Sequence, residues 1–110
     1  MLEKRNFRKA PPPMGKKAAP AQIEDRMFHL ATRMLTAEGK NPYHKGDLTI
    51  RNIDELDQNI ASFEHHEAPW VADWLEYLGD AETAGRIRGE PVHFKRLIHE
   101  RVSELRKIYK

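Results

Sequence analysis

The chain has no cysteine among its 110 residues. Neither a disulfide framework nor a thiolate metal site can therefore hold the fold together, and we expect a cytoplasmic location. No run of eighteen apolar residues occurs, and the first fifteen residues lack the apolar segment of a signal peptide. We expect a protein that is neither secreted by the usual route nor bound to a membrane.

The common signatures of catalysis are also missing. Serine occurs only at Ser62 and Ser103, neither of them in a GxSxG elbow, so His29 and His99 have no visible nucleophile to serve as general bases. The stretch GKNPYHKGD lacks the GxxxxGK[ST] pattern of a phosphate-binding loop. We predict a non-enzymatic protein without a cofactor.

The formal net charge of +2 conceals two parts of opposite sign. Residues 1–20 hold six basic residues and one acid, a net charge of +5, whereas residues 21–110 hold 13 basic and 16 acidic residues, a net charge of −3. Pro11, Pro12 and Pro13 favour extended polyproline geometry. We predict an extended, disordered basic arm over residues 1–20, followed by one helical domain over residues 21–110.

Apolar residues in the domain recur at alternating intervals of four and three, which places them on one side of a helix. Asn52 with Glu55 three residues later predicts a capped helix start. The piece Leu48–Ile50 has no evident partner strand, so a loop with at most a small extended stretch, and no sheet, is expected there. The predicted fold class is all-α, a compact bundle of four to five helices. Their predicted bounds are Pro20 to Gly39, Asn52 to Phe63, Pro69 to Gly79, Asp80 to Gly89, and Phe94 almost to Lys110.

The stretch FEHHEAPWVADW contains two adjacent histidines, His65 and His66. Neighbouring helical residues point about 100° apart, whereas helical zinc pairs use a spacing of four residues. A metal site here is a weak candidate, and a polar junction between two helices is the alternative. We expect no bound metal.

The same stretch begins an aromatic series, Trp70, Trp74 and Tyr77, at helical spacing. Such a series is typical of a buried core in a small domain. The alternative is an interaction face, and a tryptophan exposed beside an acidic surface would favour a protein-binding groove.

The arm offers the clearest candidate binding residues. Its cations suit phosphate groups, and an aromatic ring among them can stack on a base. An acidic protein partner and a merely solubilising tail remain alternatives. In the domain, RIRGEPVHFKR predicts either a second basic patch or an ordinary solvated surface. The arm residues are Lys4, Arg5, Phe7, Arg8, Lys9, Lys16 and Lys17.

The region from Gly46 to Arg88 resembles a family of small helical prokaryotic domains of unknown function. Members of that family carry a G-x-x-I-x-N-L-x-E-L start, a histidine pair, and a D-F-x-x-W helix that leads into G-D-x-x-L-A. The resemblance implies a helical fold and no known activity. The matching residues are Ile50, Asn52, Ile53, Glu55, Leu56, His65, His66, Trp74, Gly79, Asp80 and Ala84, while Val71 and Thr83 depart from the pattern.

These observations predict a helical binding module that docks on a larger assembly, with the basic arm contacting nucleic acid or a ribonucleoprotein. The first alternative is an accessory or regulatory subunit that binds a protein complex through its helical face. The second is a histidine-based metal-binding protein. The oligomeric state stays open.

Overall fold

A computed structural model of the chain describes residues 20–109. The arm predicted over residues 1–20 therefore lies outside the described residues, except for Pro20. Within this range the chain forms five α-helices, a two-stranded hairpin and three short 3₁₀ turns. The helices are α1 (Pro20–Thr36), α2 (Ile53–Gln58), α3 (Ala68–Leu78), α4 (Ala81–Gly89) and α5 (Phe94–Tyr109), the strands are β1 (Tyr43–Lys45) and β2 (Leu48–Ile50), and the turns are Ile60–Ser62, His65–Glu67 and Pro91–His93.

Two helix pairs organise the core. α3 packs along α4, α1 packs along α5, and α5 also contacts α2 and α4. The apolar stripe predicted for α5 is buried through Leu105, and it meets Met34 of α1 and Ile87 of α4 in one cluster. The predicted all-α class is confirmed, with a small sheet added to it. No helix among residues 20–109 combines the length and apolar character that crossing a bilayer requires.

Local signals set most helix boundaries. The Asn52 side chain accepts a hydrogen bond from the backbone N–H of Glu55 at 2.8 Å, as predicted for a capped start. The Glu55 carboxylate reaches back to the N–H of Arg51, one residue earlier than a capping box requires. At the end of α3, Gly79 has a φ of 128°, a conformation that favours glycine.

The expectation of a loop without a sheet between residues 41 and 52 is wrong. β1 and β2 pair antiparallel, with Tyr43 opposite Ile50. Gly46 and Asp47 form the two-residue connection, and only Gly46 has a positive φ, 59°, as in a type II′ turn. Apolar alternation does not indicate β1, because the hairpin signal is in the Gly46-Asp47 pair and not in the strand itself.

Two helices are shorter than predicted. α1 ends at Thr36 and not at Gly39, since Ala37 adopts a left-handed φ of 49°. α2 ends at Gln58, because the Asn59 side chain donates to the carbonyl of Glu55 at 2.8 Å and its backbone N–H shares the same acceptor. Phe63 is nevertheless buried, as the apolar stripe predicted.

Candidate functional site

The aromatic series on α3 divides into one core residue and two surface residues. Trp74 is 8% exposed, whereas Trp70 is 57% exposed and Tyr77 is 44% exposed. The core interpretation therefore holds for Trp74 and is wrong for Trp70 and Tyr77. We call Trp70, Tyr77 and the residues between and beside them (Glu64, His66, Asp73 and Glu76) the aromatic face.

Trp74 is held by the segment that leads into the hairpin. Its indole Nε1–H donates to the carbonyl of Asn41 at 3.0 Å. Its ring meets the ring of Tyr43 edge-on, with centroids 5.7 Å apart, and Tyr43 in turn contacts Phe63. Trp74 is therefore a structural residue that fixes the hairpin against α3, and it is not available to a ligand.

Tyr77 is exposed but fixed in place. Its hydroxyl accepts a hydrogen bond from the backbone N–H of Asn41 at 3.0 Å. The Nζ of Lys40 lies 4.9 Å from the centre of its ring, within the range of a cation–π contact. One side of the tyrosine is thus used by its own chain, while 44% of the residue stays open to solvent.

At the other end of the face, Trp70 meets the histidine pair. The ring of His66 packs edge-on against the Trp70 ring at a centroid distance of 5.9 Å. The His66 Nδ1 lies 3.6 Å from a carboxylate oxygen of Glu64, and His65 is exposed. No three His, Asp or Glu side chains converge as a metal site anywhere in residues 20–109.

The junction around the histidines depends on the buried carboxylate of Glu67. Glu67 is 6% exposed and completes a capping box with Glu64. Its carboxylate accepts from Lys45 Nζ at 2.9 Å and from the Glu64 N–H at 2.9 Å. Burial alone raises the pKa of Glu67, but these bonds and the charge of Lys45 outweigh it, so the pKa is lowered. The residue ties β1 to the start of α3.

Carboxylates border the aromatic face. Asp73 and Glu76 both bind Arg88 of α4, with N···O distances of 2.7 Å each, and these hydrogen bonds raise the pKa of Arg88. Glu64 adds a third carboxylate next to His66, with 74% of its side chain exposed. The three acids outnumber the two cations at this surface, Arg88 and Lys40.

The second basic patch considered for residues 86–96 is divided among ion pairs. Arg86 binds Glu82 at 3.0 Å, and Arg96 binds Glu100 at 3.1 Å. With Arg88 bound to α3 acids, this region is a solvated surface of mixed charge. Surface pairs of this kind contribute little to stability.

A buried ion pair between α4 and α5 is the main polar feature that the sequence did not indicate. The Arg101 guanidinium donates to both carboxylate oxygens of Asp80, at 2.8 and 3.0 Å, and Asp80 also caps α4 through the N–H of Thr83. Burial lowers the pKa of Arg101, but its bonds to Asp80 and Glu104 more than reverse this and raise it. An arginine inside the apolar stripe of the last helix was the available signal.

A surface depression of about 560 Å³ lies along α5 and is lined by residues of α4 and α5. Several of its charged side chains already bind one another, including Arg101 with Glu104. Ser103 is one of its lining residues, and the other serine, Ser62, donates its hydroxyl to the carbonyl of Asn59. The residues that line the depression do not form a recognisable catalytic or ligand-binding arrangement.

The predicted arm residues lie outside the described part of the chain, so their surroundings add nothing to the site. Comparison with protein-family models, with curated proteins and with solved structures finds no match for this chain. The resemblance to the family of small helical prokaryotic domains stays a prediction. Geometry and chemistry must therefore carry any proposal of function.

Proposed function

We propose that the chain is a non-enzymatic helical binding module that docks on a larger protein assembly through the aromatic face of α3. The observation that carries this proposal is the 57% exposure of Trp70 on a helix whose opposite side is buried. Exposed tryptophan is costly to leave in water and is enriched among residues that dominate protein interfaces.

The contacts that hold the face in place support the same conclusion. α3 is anchored by its buried residues, Tyr77 is held by Asn41, and Trp70 rests against His66. Side chains that are already ordered lose little conformational entropy when a partner binds. The face is therefore suited to act as a preformed docking surface.

The composition of the face indicates the chemistry of the partner. Two aromatic rings provide apolar contact area, and the carboxylates of Glu64, Asp73 and Glu76 outnumber the neighbouring cations. A partner segment with apolar side chains flanked by lysine or arginine complements this pattern. Because the acids are exposed, charge should affect the association rate more than the final affinity.

The test is a pull-down with the full chain as bait, repeated with Trp70→Ala and with Phe28→Ala. Phe28 is a matched control, since it is an aromatic residue of α1 that is 43% exposed. We expect a protein that is retained by the wild type and by Phe28→Ala, and lost with Trp70→Ala. Equal retention by all three chains would contradict the proposal.

A second candidate function rests on the charge of the arm, +5 over residues 1–20. In this function the arm contacts RNA or DNA, and the helical body holds it on a ribonucleoprotein. Each phosphate that a cation neutralises releases counterions, so six cations correspond to a slope of log K against log salt of about −4 for a single strand. A binding titration against single-stranded RNA, with a chain in which Lys4, Arg5, Arg8 and Lys9 are glutamine, tests this. A slope unchanged by these substitutions would exclude the arm as the phosphate contact.

A further inference from the structure

We propose that the aromatic face binds the basic proline-rich segment of a second copy of this chain, RKAPPPMGKK, residues 8–17. The inference rests on the docking role proposed above for the same face, and it names the kind of partner. Proline-rich segments are recognised by exposed aromatic rings on a rigid support, because the polyproline helix loses little entropy on binding. The aromatic face supplies such rings in Trp70 and Tyr77.

The spacing of the two rings fits a polyproline helix. Trp70 and Tyr77 are seven residues apart on one helix, which places them about 10 Å apart along its axis. A polyproline helix has three residues per turn and advances about 9.3 Å in each turn. Pro11 and Met14 are three residues apart in the sequence, the spacing at which a polyproline helix would present one side chain to each ring.

The charges of the segment and the face are complementary. Residues 8–17 contain four cations, Arg8, Lys9, Lys16 and Lys17, and no acid. In the sequence, two cations precede the three prolines and two follow them. The carboxylates of Glu64 and Glu76 lie toward opposite ends of the aromatic face, so each can meet one pair of cations. An arginine or lysine over the open side of the Trp70 ring adds a cation–π contact.

The length of the connecting chain favours a second copy over the same copy. Pro13 precedes Pro20 by seven residues, which span at most about 25 Å when fully extended. α1 itself covers about 20 Å between Pro20 and Arg33, and the Arg33 side chain lies against Gly79 at the C-terminal end of α3. The connection therefore reaches little farther than the C-terminal part of α1, near which Gly79 lies, and a segment from a second copy is free of that limit. Two copies that exchange segments would fill both faces in one symmetric dimer.

The experiment uses the full chain and two readouts. Sedimentation equilibrium at low and high salt measures association, and the two indole N–H resonances, one for each tryptophan, report on Trp70 and Trp74 separately. The variants are Trp70→Ala, the triple substitution of Pro11, Pro12 and Pro13 by alanine, and Val92→Ala as an exposed control.

We expect the wild type and Val92→Ala to dimerise at low salt and to dissociate at high salt. Trp70→Ala and the triple proline variant should each weaken the dimer by about tenfold or more. In the wild type the Trp70 resonance should move on dilution while that of Trp74 stays fixed.

Three outcomes would overturn the inference. A wild type that stays monomeric, with a Trp70 resonance insensitive to the proline substitutions, excludes the segment as the occupant. A Trp70 resonance that depends on the prolines but not on concentration assigns the segment of the same copy. A dimer that persists in both variants assigns a different interface. If the pull-down partner is still lost with Trp70→Ala in any of these cases, the docking function stands and only this inference fails.

Discussion

At the scale of single residues, the buried carboxylate of Asp80 holds α4 and α5 together. Its oxygens bind Arg101 from α5 and the N–H of Thr83 at the start of α4, and it is 1% exposed. Removing one partner of a buried ion pair leaves the other charge uncompensated. We predict that Asp80→Ala lowers the free energy of unfolding by about 3–5 kcal/mol.

Urea unfolding measures this loss. Glu82→Ala is the control, because Glu82 also binds Arg101 but its side chain is 59% exposed, and its effect should stay near 0.5 kcal/mol. Replacing both residues, Asp80→Ala with Arg101→Met, should cost less than the sum of the two single changes, since no charge is then left buried. Additive losses would show that the pair is not coupled.

Glu67 predicts a dependence of stability on pH. Its pKa in the folded chain is lowered from 4.5, so the folded state favours the ionised form. The stability that this gives is fully present above the unfolded pKa and is lost as the pH falls through the folded pKa. We predict that the wild type is more stable than Glu67→Gln at neutral pH, and that the difference shrinks below pH 4.5.

Urea unfolding curves at neutral pH and below pH 4.5 test this dependence, with Glu90→Gln as the control. Glu90 has an exposed side chain and only a 3.9 Å contact to Arg96. Its substitution should therefore change the free energy of unfolding by the same small amount at both pH values. The prediction fails if the difference in free energy of unfolding between the wild type and Glu67→Gln is the same at both pH values. Folding would then not favour the ionised form of the Glu67 carboxylate.

At the scale of helices, two glycines on either side of one turn respond oppositely to alanine. Gly79 ends α3 with a φ of 128°, and a Cβ there would lie 2.7 Å from Arg33 Nε. Gly85 is exposed inside α4, and a Cβ there meets nothing within 4 Å. We predict that Gly79→Ala destabilises the fold by about 1–3 kcal/mol and that Gly85→Ala stabilises it by about 0.5–1 kcal/mol. Thermal unfolding of both variants measures the pair, and a shift of the same sign in both would refute it.

The sequence predicted those parts of the fold that local interactions determine. Asn52 and Asp80 cap the starts of helices, Pro69 lies in the first turn of α3, and Gly79 ends α3, because caps and backbone conformations act within a few residues. The other parts of the fold depend on contacts between residues that are distant in the sequence. The strand Tyr43–Lys45 has little pattern of its own and exists through its pairing with β2.

The same limit applies to the candidate site. Trp70 and Trp74 point in directions only about 40° apart on the helix, so periodicity cannot separate them. What separates them is the position of Asn41 and Tyr43, which cover Trp74 and leave Trp70 open. Burial of Arg101 depends likewise on Asp80, 21 residues away. Neither could be predicted before the packing of the hairpin and of α4 was known.

At the scale of the whole molecule, the described core and the net charge come from different parts of the chain. The buried apolar residues run from Ala31 to Leu105, whereas the excess of positive charge comes from residues 1–20. Stability and electrostatic behaviour should therefore be separable by a single deletion. The pairs that Arg101 forms with Asp80 and Glu104 join residues of the body alone, so removing the arm leaves them intact.

We predict that a chain of residues 20–110 keeps the free energy of unfolding at high salt within about 0.5 kcal/mol of the full chain. Its net charge changes sign, from +2 to −3, so it should bind an anion exchanger at neutral pH where the full chain does not. Urea unfolding and ion-exchange elution measure the two properties on the same samples. A full-length chain with four arm cations replaced by glutamine is the control, because it removes charge without shortening the chain. If the deletion destabilises the fold but this control does not, residues 1–19 contribute contacts to the body beyond their charge.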